Sequence, residues 1–143
     1  MGKFREVTSK FSASPQIDLD DVERAATQGF KAIICNRPDD EDNGQLSGKD
    51  VAASCARHGI QFTHIPVSGG MSQVQVEQMA RAIDAAGGPV LAYCRSGTRS
   101  TNLWALAMAG EGLSGADLVE AAAGAGYDLS SLLPSLNAIT QRS

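Results

Sequence analysis

The octapeptide Tyr93-Cys94-Arg95-Ser96-Gly97-Thr98-Arg99-Ser100 lies between an apolar run and a segment of helical periodicity. In a strand-to-helix loop of this kind successive backbone N–H groups converge on one point and form an anion nest. A cysteine at the start of the loop meets the positive end of the helix dipole and two arginines. All of these favour thiolate over thiol and make Cys94 a nucleophile at neutral pH. Arg95, Ser96, Gly97 and Thr98 line the oxyanion-binding loop, and Gly97 permits the turn without Cβ crowding. Arg99 can hold a tetrahedral oxyanion through two N–H groups, and the Ser100 hydroxyl can hydrogen-bond the sulfur. If Cys94 were only a small buried hydrophobe, Arg95 and Arg99 would have no reason to crowd it.

Other residues bear on the same rim. Asp39, Asp40, Glu41 and Asp42 follow the apolar run that ends at Cys35. Asp39 and Asp40 are the candidates for a general acid, since repulsion within the cluster would raise one pKa, whereas the plainer reading is a solvated loop. Cys35 is a candidate resolving thiol for an oxidised Cys94, against the plainer reading of burial beside Ile33. Cys55 reads as packing, His64 as a hydrogen-bonded core residue and His58 as a partner of its helix dipole. The cysteine spacings contain no C-x2-C pair, and no metal or organic cofactor is implied.

The elements that position these residues follow from periodicity and punctuation. Phe4 to Ala13 alternates loosely, as a short strand or hairpin. Asp18 caps a helix over Leu19 to Gln28, closed by Gly29. Ala32 to Cys35 is a strand, Asn36 to Gly48 a solvated loop, and Ser47 or Gly48 opens a helix closed by Gly59. Gln61 to Ile65 is a strand stopped by Pro66. The Ser68-Gly69-Gly70 loop precedes a helix from the Ser72 cap to about Ala86, broken by Gly87-Gly88-Pro89. Val90 to Tyr93 is a strand and Thr98 to Ala109 a helix. Further helices run from Ser114 to about Ala125 and from about Ser131 to Thr140, with Pro134 tolerable only in the first turn of the last. This alternation predicts a single α/β domain over residues 1–143, with a mainly parallel sheet of four to five strands flanked by helices on both faces. The loops after Cys35, Ile65 and Tyr93 then share one rim.

Length and composition agree. The 143 residues suit one domain, and 43% hydrophobic with 20% charged residues separates the chain from disordered and membrane classes. A formal charge of -4 offers no field for nucleic acid. Three cysteines are too few and too scattered for a disulfide scaffold. No apolar run follows Met1-Gly2-Lys3, so the expectation is a cytoplasmic protein without a signal peptide or membrane span.

The Cys94 to Ser100 loop resembles the active-site loop of single-domain rhodaneses. Ile33 to Pro38, followed later by His64-Ile65-Pro66-Val67, is similar to the dual-specificity phosphatase scaffold. Together, and including Asn102-Leu103-Trp104-Ala105, they resemble the bacterial family called beta-lactamase hydrolase-like protein, phosphatase-like domain, also labelled a sulfurtransferase family. The resemblance implies a cysteine-phosphatase-like fold with a Cys-x4-Arg loop, one residue shorter than the phosphatases' Cys-x5-Arg. It also exposes a gap, because the general-acid Asp of those phosphatases is replaced by Ser68, Gly69 and Gly70.

A missing acid costs an alkyl phosphoester about two to four powers of ten in rate, whereas sulfane sulfur transfer expels a stable anion and needs none. The expected activity is therefore a sulfurtransferase that passes sulfane sulfur from thiosulfate or a persulfide through a Cys94 persulfide. The alternatives are a phosphatase acting through a phosphocysteine and a non-catalytic oxyanion-binding or redox-sensing module. Expected partners are a small anionic sulfur or phosphate substrate, a thiol acceptor and, through the family, a separate persulfide dioxygenase.

Overall fold

In the computed structural model, which describes residues 3–142, the amino-terminal segment forms a hairpin, with β1 (Arg5–Thr8) antiparallel to β2 (Phe11–Ser14). Met1, Gly2 and Ser143, on which part of the reading of the chain's ends rests, lie outside the described residues. Helix α1 (Leu19–Thr27) starts at a capping box: the Asp18 side chain accepts from the Asp21 N–H, and the Asp21 side chain accepts from the Asp18 N–H. Strand β3 (Ala32–Cys35) is followed by α2 (Gly48–Arg57), capped by Ser47, and by β4 (Gln61–His64). Ser72 and Gln75 form a second capping box for α3 (Gln73–Ala85), which leads to β5 (Val90–Tyr93) and α4 (Thr98–Gly110). After α5 (Gly115–Gly124), a 3-10 turn over Ser130–Leu132 enters α6 (Leu133–Arg142). Pro134 thus falls in the first turn of α6, where its missing N–H would have had no partner.

The five strands are ordered β1-β2-β5-β3-β4, and all pairs but β1–β2 are parallel. This is the predicted α/β architecture. Alternation along the strands splits the core into two layers. Ala32, Ile34, Val90 and Ala92 face Met79, Leu103, Trp104, Leu118 and Leu136. Ile33, Cys35, Leu91 and Tyr93 face Val22, Val51 and Cys55 on the other side, so Cys55 packs as expected.

Parallel register brings the strand ends level, with Ser14, Cys35 and Tyr93 aligned and His64 beside Cys35. Beyond the strands the pairing continues: the Cys94 N–H donates to Ser14 O (3.3 Å), Asn36 N–H to Tyr93 O (2.8 Å) and Val67 N–H to Asn36 O (3.0 Å). The loops after β3, β4 and β5 therefore leave the sheet already stitched together. One expectation fails here. The segment from Asn36 to Gly48 is not a solvated loop from its start, because Asn36 and Arg37 are 0% and 4% exposed. Among the described residues no helix is long and apolar enough to cross a membrane.

The Trp104 ring stacks on Phe11 with centroids 5.4 Å apart and pins α4 to the hairpin. Trp104→Ala is expected to lower the unfolding free energy by about 3–5 kcal/mol, read from urea denaturation. A loss below about 1 kcal/mol would mean that α4 is anchored elsewhere.

Candidate active site

Cys94 is fully buried at the end of β5. The backbone then turns sharply enough that the Gly97 N–H donates to the Cys94 sulfur at 3.1 Å. Gly97 is the N-cap of α4 with φ +96, a left-handed conformation that glycine adopts without strain. Its carbonyl accepts from both the Thr101 N–H (3.0 Å) and the Thr101 hydroxyl (2.8 Å), fixing the first turn of the helix. Ser96 and Thr98 bond to each other through their hydroxyls at 3.0 Å, and both side chains are exposed at the mouth of the loop. Ser100 departs from expectation: its hydroxyl is buried without a hydrogen-bond partner, and the Gly97 N–H is what reaches the sulfur.

Arg99 projects from the first turn of α4 across the rim. Its Nη1 donates to Glu41 Oε2 (2.8 Å) and to the Val67 carbonyl (2.8 Å), while Nη2 donates to Glu41 Oε1 (2.9 Å). Glu41 Oε1 also accepts from Arg37 Nε at 2.9 Å. The buried Arg37 further donates to Asp42 (2.8 Å) and to the Gln16 side chain (2.9 Å), so each of its three guanidinium nitrogens has a partner. Arg95 is largely exposed and reaches Asp42 at 3.4 Å. Of the five Arg99 donors, three are held by protein oxygens, and two remain for a bound oxyanion or for the sulfur beside them.

The acidic loop is thus organised by arginines, and its electrostatics run opposite to the expected mutual repulsion. Hydrogen bonding from Arg99, outweighing partial burial and reinforced by Arg37, lowers the Glu41 pKa from 4.5 to about 2. Glu41 in turn raises the Arg99 pKa, and Cys94 adds to that shift. The two acids singled out from the sequence lie elsewhere. Asp39 Oδ1 accepts from the Gly48 N–H at 2.8 Å, at the start of α2, and Asp40 is exposed with φ +63. It is Glu41 and Asp42, rather than Asp39 and Asp40, that meet the arginines.

Cys35 points into the layer of Ile33 and Tyr93, and its thiol donates to the Arg37 carbonyl at 3.3 Å. Burial raises its pKa, which keeps it a thiol rather than an attacking thiolate. His64 is exposed rather than in the core, and its Nε2 donates to the same Arg37 carbonyl at 2.9 Å. No group of three or more His, Cys, Asp or Glu among the described residues is placed to hold a metal ion.

Two residues absent from the sequence reading complete the site. Arg37 is signalled by its place two residues after a buried strand, with Glu41 and Asp42 four and five residues later. Tyr127, whose hydroxyl donates to the Ser96 carbonyl at 3.1 Å, has no local signal at all. Together these groups place one backbone N–H on the sulfur and a guanidinium over the same loop, a donor set suited to a tetrahedral oxyanion.

The model of the family described as beta-lactamase hydrolase-like protein, phosphatase-like domain, matches residues 3–111. A beta-lactamase hydrolase-like protein of Xylella fastidiosa (strain Temecula1 / ATCC 700964) is 33% identical over 129 residues. That match covers 89% of this chain but only 30% of the relative, so the chain spans under a third of that protein's length. A solved structure of a candidate phosphatase from Neisseria meningitidis is 33% identical, with a TM-score of 0.83 over 97% of this chain and 99% of that one. The structure of Tk-PTP in its active form shares the fold, with a TM-score of 0.73 at 19% identity over 99% and 98% of the two chains. These likenesses favour the phosphoryl alternative of the sequence reading over its sulfur-transfer reading.

The Glu41 bridge carries a signed pH dependence. A carboxyl held at about 2 in the folded chain, against 4.5 ordinarily, contributes stability that is fully present above 4.5 and is lost as pH falls through about 2. The gap in urea midpoint between the protein and Glu41→Gln, worth about 1 kcal/mol or less for a partly exposed pair, should therefore shrink across that window. A gap that stays constant there would mean that the bridge is not formed in solution.

Proposed function

The chain belongs to the family of the beta-lactamase hydrolase-like protein, phosphatase-like domain, and from that premise we propose that it is a cysteine-dependent phosphatase of small phosphoesters with good leaving groups. The observation that carries this reading is the Gly97 N–H on the Cys94 sulfur at 3.1 Å, with the Arg99 guanidinium over the same loop. In this reading the loop N–H groups and the two free Arg99 donors hold the phosphoryl oxygens. The Cys94 sulfur attacks phosphorus as the bond to the leaving oxygen breaks, giving a phosphocysteine and an alkoxide or aryloxide. Water then attacks phosphorus, releasing inorganic phosphate and restoring the sulfur.

The leaving group must carry its own electron pair. Ser68, Gly69 and Gly70 offer no carboxyl, Asp39 is held by Gly48, and Glu41 is ionised far below neutral pH. Aryl phosphates, whose leaving oxygens are weakly basic, are therefore the expected class, and alkyl phosphates should be slower by about two to four powers of ten.

The same want of a proton donor favours a second reading, sulfane transfer. Here the Cys94 sulfur attacks the outer sulfur of thiosulfate, the S–S bond of thiosulfate breaks, sulfite leaves, and a Cys94 persulfide remains.

One pair of measurements separates them. Turnover of p-nitrophenyl phosphate that falls by at least about a thousandfold in Cys94→Ser, with no mass change after thiosulfate, is the expected result. A gain of about 32 Da on Cys94 after thiosulfate, without phosphate release from any aryl phosphate, would overturn the first reading for the second. A companion measurement concerns Glu41. The alkaline limb of the kcat profile should be unchanged in Glu41→Gln, whereas a limb that disappears in this variant would make Glu41 the general acid.

A further inference from the structure

The Tyr127 hydroxyl and the Cys94 sulfur contact opposite ends of one peptide unit. Tyr127 donates to the Ser96 carbonyl at 3.1 Å, and the N–H of Gly97, which belongs to the same planar group, donates to the sulfur at 3.1 Å. There are no cis peptide bonds among the described residues, so this carbonyl and N–H point in opposite directions. A bond at each end fixes the rotation of the plane between them. Rotated over, the same peptide would aim its carbonyl oxygen at the sulfur and its N–H away. Glycine tolerates either sign of φ, so the backbone of residue 97 does not itself choose between the two. The bond at the carbonyl end comes from outside the loop and adds to the one on the sulfur.

We propose that Tyr127 is a positioning residue that holds the Ser96–Gly97 peptide with its N–H on the Cys94 sulfur; the proposal rests on the reading of Cys94 as the nucleophile. Tyr127 is itself well anchored. It is 7% exposed, its N–H donates to Ala122 O at 2.9 Å in the turn after α5, and the Arg5 guanidinium lies 5.8 Å above its ring. Its fit to the loop is tight: a Cβ at position 97 would stand 2.1 Å from the hydroxyl oxygen and 2.8 Å from the ring carbon that bears it. Burial raises the Tyr127 pKa above its ordinary value, so the hydroxyl keeps the proton that it donates. Position 127 also lies beyond residues 3–111, the span of the family model. The loop that bears the sulfur is therefore completed by a side chain from outside that span.

Tyr127→Phe removes the hydroxyl and keeps the ring, while Tyr127→Leu removes both. The thiolate ultraviolet absorbance at neutral pH, taken relative to Cys94→Ser, and the rate of iodoacetamide alkylation of Cys94 report on the sulfur without any substrate. Both signals are expected to fall to a similar extent in the two variants, and kcat for p-nitrophenyl phosphate to fall about tenfold with KM changed by less than about twofold. A Phe variant that matches the unsubstituted protein in absorbance and alkylation would overturn the proposal, since packing of the ring would then be its whole role. A Phe variant without a cooperative urea transition would also overturn it, by making the hydroxyl a structural prop. Sulfur signals that fall as expected in a protein with no phosphatase turnover would uphold the positioning role and sink the phosphatase reading alone.

Discussion

Arg99 stands on the first turn of α4, close to Cys94, and reaches Glu41 on the loop after β3 and the Val67 carbonyl on the loop after β4. Three loops that leave parallel strands are thereby tied through one guanidinium. A parallel sheet delivers such loops to a common edge but does not order them against one another. Ordering them takes a group with several donors in fixed directions, which a planar guanidinium supplies and an ammonium does not. The geometry around Cys94 depends on this clamp from above and on the Tyr127 hydroxyl from the side.

The balance of charge follows from the same contacts. The chain is acidic overall at -4, yet Arg37, Arg95 and Arg99 gather at the rim with Glu41 and Asp42 set among them. A buried guanidinium without partners would be very costly, and Arg37 avoids that cost by holding Glu41, Asp42 and Gln16 together. Glu41 and the Val67 carbonyl in turn occupy three of the Arg99 donors and leave two free. The rim is thus close to neutral before a ligand arrives, and its attraction for anions comes from donors already aimed rather than from an excess of charge.

Much of the fold was legible because it is written in local terms. Asp18, Ser47, Ser72 and Ser114 each stand as the N-cap that their residue types suggest, and the four-residue apolar runs from Ala32 and Val90 are central strands buried on both faces. The anion loop was legible for the same reason, since Cys94, Gly97 and Arg99 lie within six residues. What escaped was long-range. The polar composition after Asn36 hid a buried Arg37, because its bond to the distant Gln16 cannot be read from neighbours in sequence. Tyr127 lies 31 residues from Ser96, so only the folded chain brings its hydroxyl to the loop. The acidic cluster misled by its density: four adjacent acids suggest mutual repulsion, but contacts with Arg99 and Arg37 reverse the sign for Glu41.

These features converge on the leaving group. Hydrogen-bond donors, the Gly97 N–H and the Arg99 guanidinium, are at hand around Cys94, and a proton to give away is scarce. The exposed segment at Ser68, Gly69 and Gly70 is short in side chains, and Glu41, the carboxylate on Arg99, is locked in its ionised form by that contact. The interaction that orders the rim is therefore also the one that keeps Glu41 from serving as an acid, because a carboxylate bound to a guanidinium by two hydrogen bonds holds a proton only in strong acid. A site built this way stabilises the charge of an oxyanion bound at the sulfur and leaves the departing atom to stabilise its own. The substrate class follows from that asymmetry more than from the shape of the loop.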